Sequence, residues 1–179
     1  MNGRAASRGM LLPDARPSDR AAGVPRRLVL AATLLEVLLT MSPLSAFAGK
    51  RPDTLGLHDS SLSGCPSSPN CVSSEADDAP HRVEPFRIRS EANRAWRALR
   101  EIVESLPRTE IVASTEDYIH AEFTSRLFRF VDDVEFHLRA SEGLIRVRSA
   151  SRVGYSDMGV NRGRVEDLRN RLRKHGVVE

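Results

Sequence analysis

From Arg146 to Arg164 the chain reads R-V-R-S-A-S-R-V-G-Y-S-D-M-G-V-N-R-G-R, with basic, hydroxyl and glycine residues where a strand-to-helix connection normally carries apolar filling. Arg148, Arg152 and Arg164 each offer a planar fork of donors suited to a carboxylate or phosphate. Ser151 and Asn161 add side-chain hydrogen-bonding groups, and Gly154 and Gly159 let backbone amides approach a ligand closely. A helix beginning near Asn161 would aim the positive end of its dipole at the same place. These are the ingredients of an anion cradle. The same arginines also fit ordinary ion pairs, Arg148 with Glu135 across a hairpin and Arg164 with Glu166 or Asp167. Exposed pairs of that kind are worth at most ~1 kcal/mol.

A second cluster is acidic. Asp132, Asp133, Glu135 and His137 are neighbours in sequence, and His120 belongs to the preceding apolar-polar alternation. If a strand begins at Asp132, the two aspartates point to opposite sheet faces, so one turns inward and needs a buried partner, naturally an arginine. Asp132, Asp133 and Asp157 are the candidate acids or bases of a hydrolase or transferase whose arginines hold substrate. Glu135 and His137 share a face and, with His120, make two imidazoles and a carboxylate. Their spacing matches no compact metal motif, and neither a metal nor another cofactor is expected. Ser149, Ser151 and Ser156 lack the G-x-S-x-G elbow of a serine nucleophile and read as hydrogen-bonding turn residues.

Positioning these groups takes a sheet and helices. Ala92, Trp96, Leu99, Ile102, Val103 and Leu106 recur at helical spacing behind Ser90, the predicted N-cap, until Pro107 stops the run. Thr109 to Ser114 and Tyr118 to Thr124 read as strands. Leu127, Phe128, Phe130 and Val131 form an apolar passage of unassigned conformation. Val134, Phe136 and Leu138 then alternate with Asp133, Glu135, His137 and Arg139, and Ile145 and Val147 alternate with Arg146 and Arg148 after a turn at Ser141-Glu142-Gly143. A last helix runs from about Val160 or Asn161 to Lys174. The expected fold is α+β, a four-stranded antiparallel meander with two helices packed on one face, preceded by a disulfide-closed loop segment. Pairing Ala140 with Gly143 sets Phe136 opposite Val147 and Glu135 opposite Arg148. The second face then carries a lattice of charges in solvent, and a slip by one residue would set apolar side chains against those charges.

Upstream, the chain reads as an address. Residues 1–27 are rich in Arg and Ala, Leu28 to Met41 is apolar, and Ala46-Phe47-Ala48 is a small-x-small cleavage site. That layout is an export signal, since the apolar run falls short of the ~20 residues a spanning helix needs. Glu36 inside the run also fits an uncleaved amphipathic anchor, and the long extension allows an organelle transit peptide. The expected organisation is a signal or transit segment over 1–48, a flexible linker over 49–63 and one globular domain over 64–175. Its expected location is the periplasm or cell envelope, alternatively an organelle lumen.

The chain holds 27 basic and 24 acidic residues, and residues 1–48 contain six Arg and three acids, which leaves 21 of each in the remainder. A neutral domain has no field to attract polyanions, which argues against nucleic acid as partner. Membrane contact is expected only through an uncleaved leader. Cys65 and Cys71 bracket P-S-S-P-N, which in an exported chain is most simply a structural disulfide.

Three longer motifs, C-P-S-S-P-N-C-V-S-S at 65–74, F-V-D-D-V-E-F at 130–136 and R-S-A-S-R-V-G-Y-S-D-M-G-V-N-R-G-R at 148–164, resemble the domain-of-unknown-function 1499 family. The resemblance spans about Gly64 to Arg173. It implies an exported or membrane-anchored setting and carries no activity or catalytic set to transfer. Its motifs coincide with the polar strand ends and loops singled out on chemical grounds. The leading expectation is an exported domain that recognises an anionic small molecule or partner protein through Arg148, Ser151, Arg152, Asn161 and Arg164. The alternatives are a hydrolase or transferase using Asp132, Asp133 or Asp157, and a structural accessory protein of an envelope or lumenal complex.

Overall fold

The structure is a computed structural model that describes residues 48–179, so the leader expected over residues 1–48 lies outside the described residues except for Ala48. The elements run β1 (Leu57–His58), β2 (Ser61–Leu62), β3 (Cys71–Ser73), β4 (Phe86–Arg87), α1 (Ala92–Ser105), β5 (Thr109–Ser114), β6 (Tyr118–Thr124), β7 (Val131–Arg139), β8 (Leu144–Ser151) and α2 (Val160–Lys174). No described helix is long and apolar enough to cross a membrane.

Strands β5 to β8 form the expected antiparallel meander, and the sheet is wider than four strands. The edge of β8 also takes β3 along Arg148–Ala150 and β4 along Leu144–Ile145, giving six strands in all. Strands of two or three residues show no alternation in sequence; the edge they join defines them. The β7–β8 register sets Phe136 against Val147, Leu138 against Ile145, Glu135 against Arg148 and His137 against Arg146, as the alternation demands. The connection is a 3-10 turn at Ala140–Glu142, closed by Gly143 in the left-handed region at φ 66°.

One face of the sheet holds the apolar core. Ile119, Ala121, Val134, Phe136, Leu138, Ile145 and Val147 pack with Ala95, Trp96, Leu99, Ile102 and Val103 of α1 and Val165, Leu168 and Leu172 of α2. Burying each large member contributes about 1.5–3 kcal/mol. Ser90 does not cap α1: Glu91 holds the N-cap position without a side-chain bond, and the Ser90 hydroxyl donates to the Glu91 carbonyl at 3.2 Å.

The other face is covered, not wet. Residues 49–63, whose composition reads as a flexible lead, fold across it and carry the β1–β2 hairpin. The Gly56 amide donates to Glu135 at 2.8 Å, Arg139 donates to the Ser60 carbonyl at 2.8 Å, and Arg51 Nε donates to Glu122 at 2.8 Å. Gly49 begins this cover at φ +72°, where a Cβ would stand 2.8 Å from Val153 Cγ1 and 3.0 Å from Arg152 Cβ. Conformation and space both call for glycine there. A disulfide joins Cys65 to Cys71 and fixes the loop that enters β3.

Candidate functional site

The charge lattice of β7 and β8 is interior. Glu135 is fully buried and accepts from Arg148 at 3.1 Å, from the Tyr118 hydroxyl at 2.8 Å and from the Gly56 amide. Burial, then the Glu135 charge, pushes the Tyr118 phenol well above its ordinary range. Beside it, Asp133 accepts from His120 at 2.7 Å and from two nitrogens of Arg152 at 2.8 and 2.7 Å. Burial raises the Asp133 carboxyl, but Arg152 and His120 outweigh it and hold the group below the usual aspartate range. The same guanidinium reaches Glu122, which Arg51 also binds. These groups satisfy one another and leave a ligand little to bind.

The structure therefore divides the residues that sequence placed together. Arg148, Arg152 and Asp133 belong to the covered face. Asp132, Ser151, Asn161 and Arg164 meet on the helix-covered side, at the end of the sheet. Arg164 pairs with Asp132, where Glu166 or Asp167 was a sequence alternative, and stacks its guanidinium 4.8 Å from the Phe123 ring centre. It also donates to Ser149 at 3.0 Å and to Asn161 Oδ1 at 2.6 Å. Asn161 in turn donates to the Asn70 carbonyl at 2.9 Å and to Ser151 Oγ at 3.0 Å. Both aspartates face inward enough to be buried, and each has its arginine.

The amino end of α2 is also filled from within. Asp157 accepts from the Gly159 amide at 3.0 Å and the Asn161 amide at 2.7 Å, so its carboxylate takes the place an external anion would occupy. The expected convergence of Arg148, Arg152 and Arg164 on one anion is thus replaced by three acid-paired guanidiniums on two sides of a sheet.

What lies open at this end is apolar. A pocket of about 300 Å³ sits between the β6–β7 loop and the β8–α2 loop, lined by Phe130, Val153 and Val160 together with Asp132, Ser151 and Asp157. Asp132 Oδ2 is engaged by Arg164. Among the described residues, the large apolar side chains that stand out in solvent all belong to these two loops and the first residue of α2. Leu127 is 81% exposed, Phe128 66%, Tyr155 76% and Met158 97%. Sequence reasoning missed this set. Its one signal was the apolar run Leu127 to Phe130 where a strand connection is normally polar.

A larger cleft of about 460 Å³ lies between the β1–β2 hairpin and the segment after β3, with polar walls that include Glu75, Arg82 and Arg146. Of the arginines in the Arg146 to Arg164 stretch it holds only Arg146, which is paired with Glu142.

Among the described residues, His120, Glu122 and Asp133 bring potential ligand atoms within 4.8 Å of one another. The guanidinium of Arg152 bonds both carboxylates, so a metal ion there would sit against a buried cation. The donor set does not fit a metal.

Fold and site together define a small α+β domain with an internally neutralised polar face and an apolar pocket at one end of its sheet. A family model described as protein of unknown function (DUF1499) matches residues 61–172, and the chain belongs to that family. No curated protein and no solved structure matches the chain.

Proposed function

We propose that the domain is a binding module, and that its recognition element is the pocket between the β6–β7 and β8–α2 loops. The observation that carries this reading is the gathering of exposed apolar side chains on the two loops that form one pocket, whose lining includes the buried carboxylate of Asp132. Apolar surface concentrated in this way marks an interaction site. The pocket suits an apolar group next to an ammonium or hydroxyl that donates to Asp132.

An anionic partner group would meet Arg126 and Arg129, which are exposed on the same loop, and not Arg148, Arg152 or Arg164. Acid-base chemistry finds less support: Asp157 spends both oxygens on helix amides, and Asp133 lies on the covered face. Export is part of the reading, supported by the signal-like leader and by a disulfide of the kind that persists in oxidising compartments.

Octylammonium tests the pocket. It should shift backbone NMR signals of residues 125–130 and 151–160, bind more tightly than octanol, and lose that advantage in Asp132→Asn. Val160→Trp, which fills the mouth, should abolish binding of both. Binding that survives Val160→Trp unchanged would show that the pocket is not the site.

A further inference from the structure

We infer that the two loops around the pocket seat the domain on a bilayer surface bearing anionic headgroups. This rests on reading that end as the recognition element and supplies its partner. Sequence had allowed membrane contact only through the leader.

The side chains stand out as separate knobs on two loop tips: Leu127 and Phe128 on one, Tyr155 and Met158 on the other. Phe128 and Phe130 stack with ring centres 5.5 Å apart, so the first tip presents an ordered aromatic wedge. A protein partner would need a socket shaped to each knob, whereas the acyl-headgroup boundary accepts any apolar projection. Tyr155 has the amphipathic character of residues that favour that boundary.

Charge selects the kind of bilayer. Arg126 and Arg129 flank the Leu127-Phe128 tip, both are exposed, and neither enters an ion pair with a described residue. Arg89, Arg94, Arg97 and Arg108 are also exposed without an ion pair among the described residues, so what distinguishes Arg126 and Arg129 is their place on either side of an apolar tip. Two unmatched arginines beside an apolar tip are placed to meet lipid phosphates while the tip enters below them. The β6–β7 loop carries no acidic residue between Thr124 and Val131 to oppose this.

The test uses the full chain carrying Phe128→Trp, with vesicles whose acyl chains are brominated. The readout is local to position 128, so attachment through residues 28–41 is not what it reports, and Trp96, on the buried face of α1, serves as the unquenched control. Vesicles of phosphatidylcholine with three parts in ten phosphatidylglycerol should quench the new indole and shift its emission to the blue. Phosphatidylcholine alone should do so far less. Adding Arg126→Gln and Arg129→Gln should weaken the response about 30-fold, from roughly 1 kcal/mol per basic side chain at an anionic surface.

Equal quenching by neutral vesicles, or none by the anionic ones, would overturn the inference. Octylammonium titration of the same sample separates the two claims. Retained octylammonium binding without quenching defeats the membrane inference and leaves the pocket standing. Quenching that persists in Val160→Phe, which narrows the mouth without adding a second indole, after octylammonium binding is lost supports the loop tips as the lipid contact.

Discussion

The covered face of the sheet and its loop end reverse the usual distribution of side chains. On the covered face, Glu135, Arg148, Asp133 and His120 lie inside and bond one another. At the loop end, Leu127, Phe128, Tyr155 and Met158 lie outside and leave much of their surface to solvent. Buried charge and exposed apolar surface are both departures from the norm, but they mean different things. The buried carboxylates are each paired with an arginine, so they specify how the cover docks, although Arg148 Nε and His137 Nδ1 are left without a partner. The exposed apolar groups leave most of their surface uncovered by the described residues, which is why we propose them as the contact surface. Density of polar chemistry in a sequence does not by itself locate function, because folding can pair those groups with one another.

Breaking the first region should have the larger effect on stability. Glu135→Ala strands Arg148 and removes the acceptor of Tyr118 and Gly56 in a closed interior. Loss of one partner from a buried pair costs about 3–5 kcal/mol, which urea denaturation would register. Replacing both, Glu135→Leu with Arg148→Met, should recover much of that loss, because no charge is then left buried alone.

Acid should loosen the same face in two stages. His137 is buried with Nδ1 unpartnered, and burial first, then Arg139, pushes its imidazole below the ordinary value, although Asp117, Glu75 and Glu142 pull the other way. A depressed histidine adds stability above its unfolded value near 6.5, and that contribution is lost as pH falls through the native value. Asp133 and Glu122, also depressed, contribute above the ordinary carboxylate range and lose it at still lower pH. Urea midpoints measured against pH should show both declines, and His137→Leu should remove the upper one alone. A single decline in the wild type would contradict that assignment.

The smallest stability effect belongs to the loop end. Leu127→Ser should leave the unfolding free energy from urea denaturation within about 0.5 kcal/mol of the parent, as for other exposed positions, while lipid quenching at position 128 falls.

Much of the fold was legible because alternation constrains register. Val134, Phe136 and Leu138 against Ile145 and Val147 allow one alignment, and Glu135 opposite Arg148 follows from it. The cover was not legible: nothing local in residues 49–62 announces that Gly56 will meet a carboxylate seventy-nine residues away. Distance in sequence also hid the division of the site. Parity along β8 separates Arg148 and Arg152 from Ser151, but only the position of α2 brings Arg164 and Asn161 to Ser149 and Asp132. The apolar run at Leu127 was visible yet carried no period, so it announced neither strand nor helix.

Mapping octylammonium contacts by backbone NMR across the whole domain weighs the two regions against each other in one measurement. Saturable shifts confined to residues 125–130 and 151–160, with Glu135, Arg148 and their cover silent, are the expected result. Shifts centred on Glu135, Arg148 and the Gly56 amide, with the loops unmoved, would place recognition on the covered face and contradict the account.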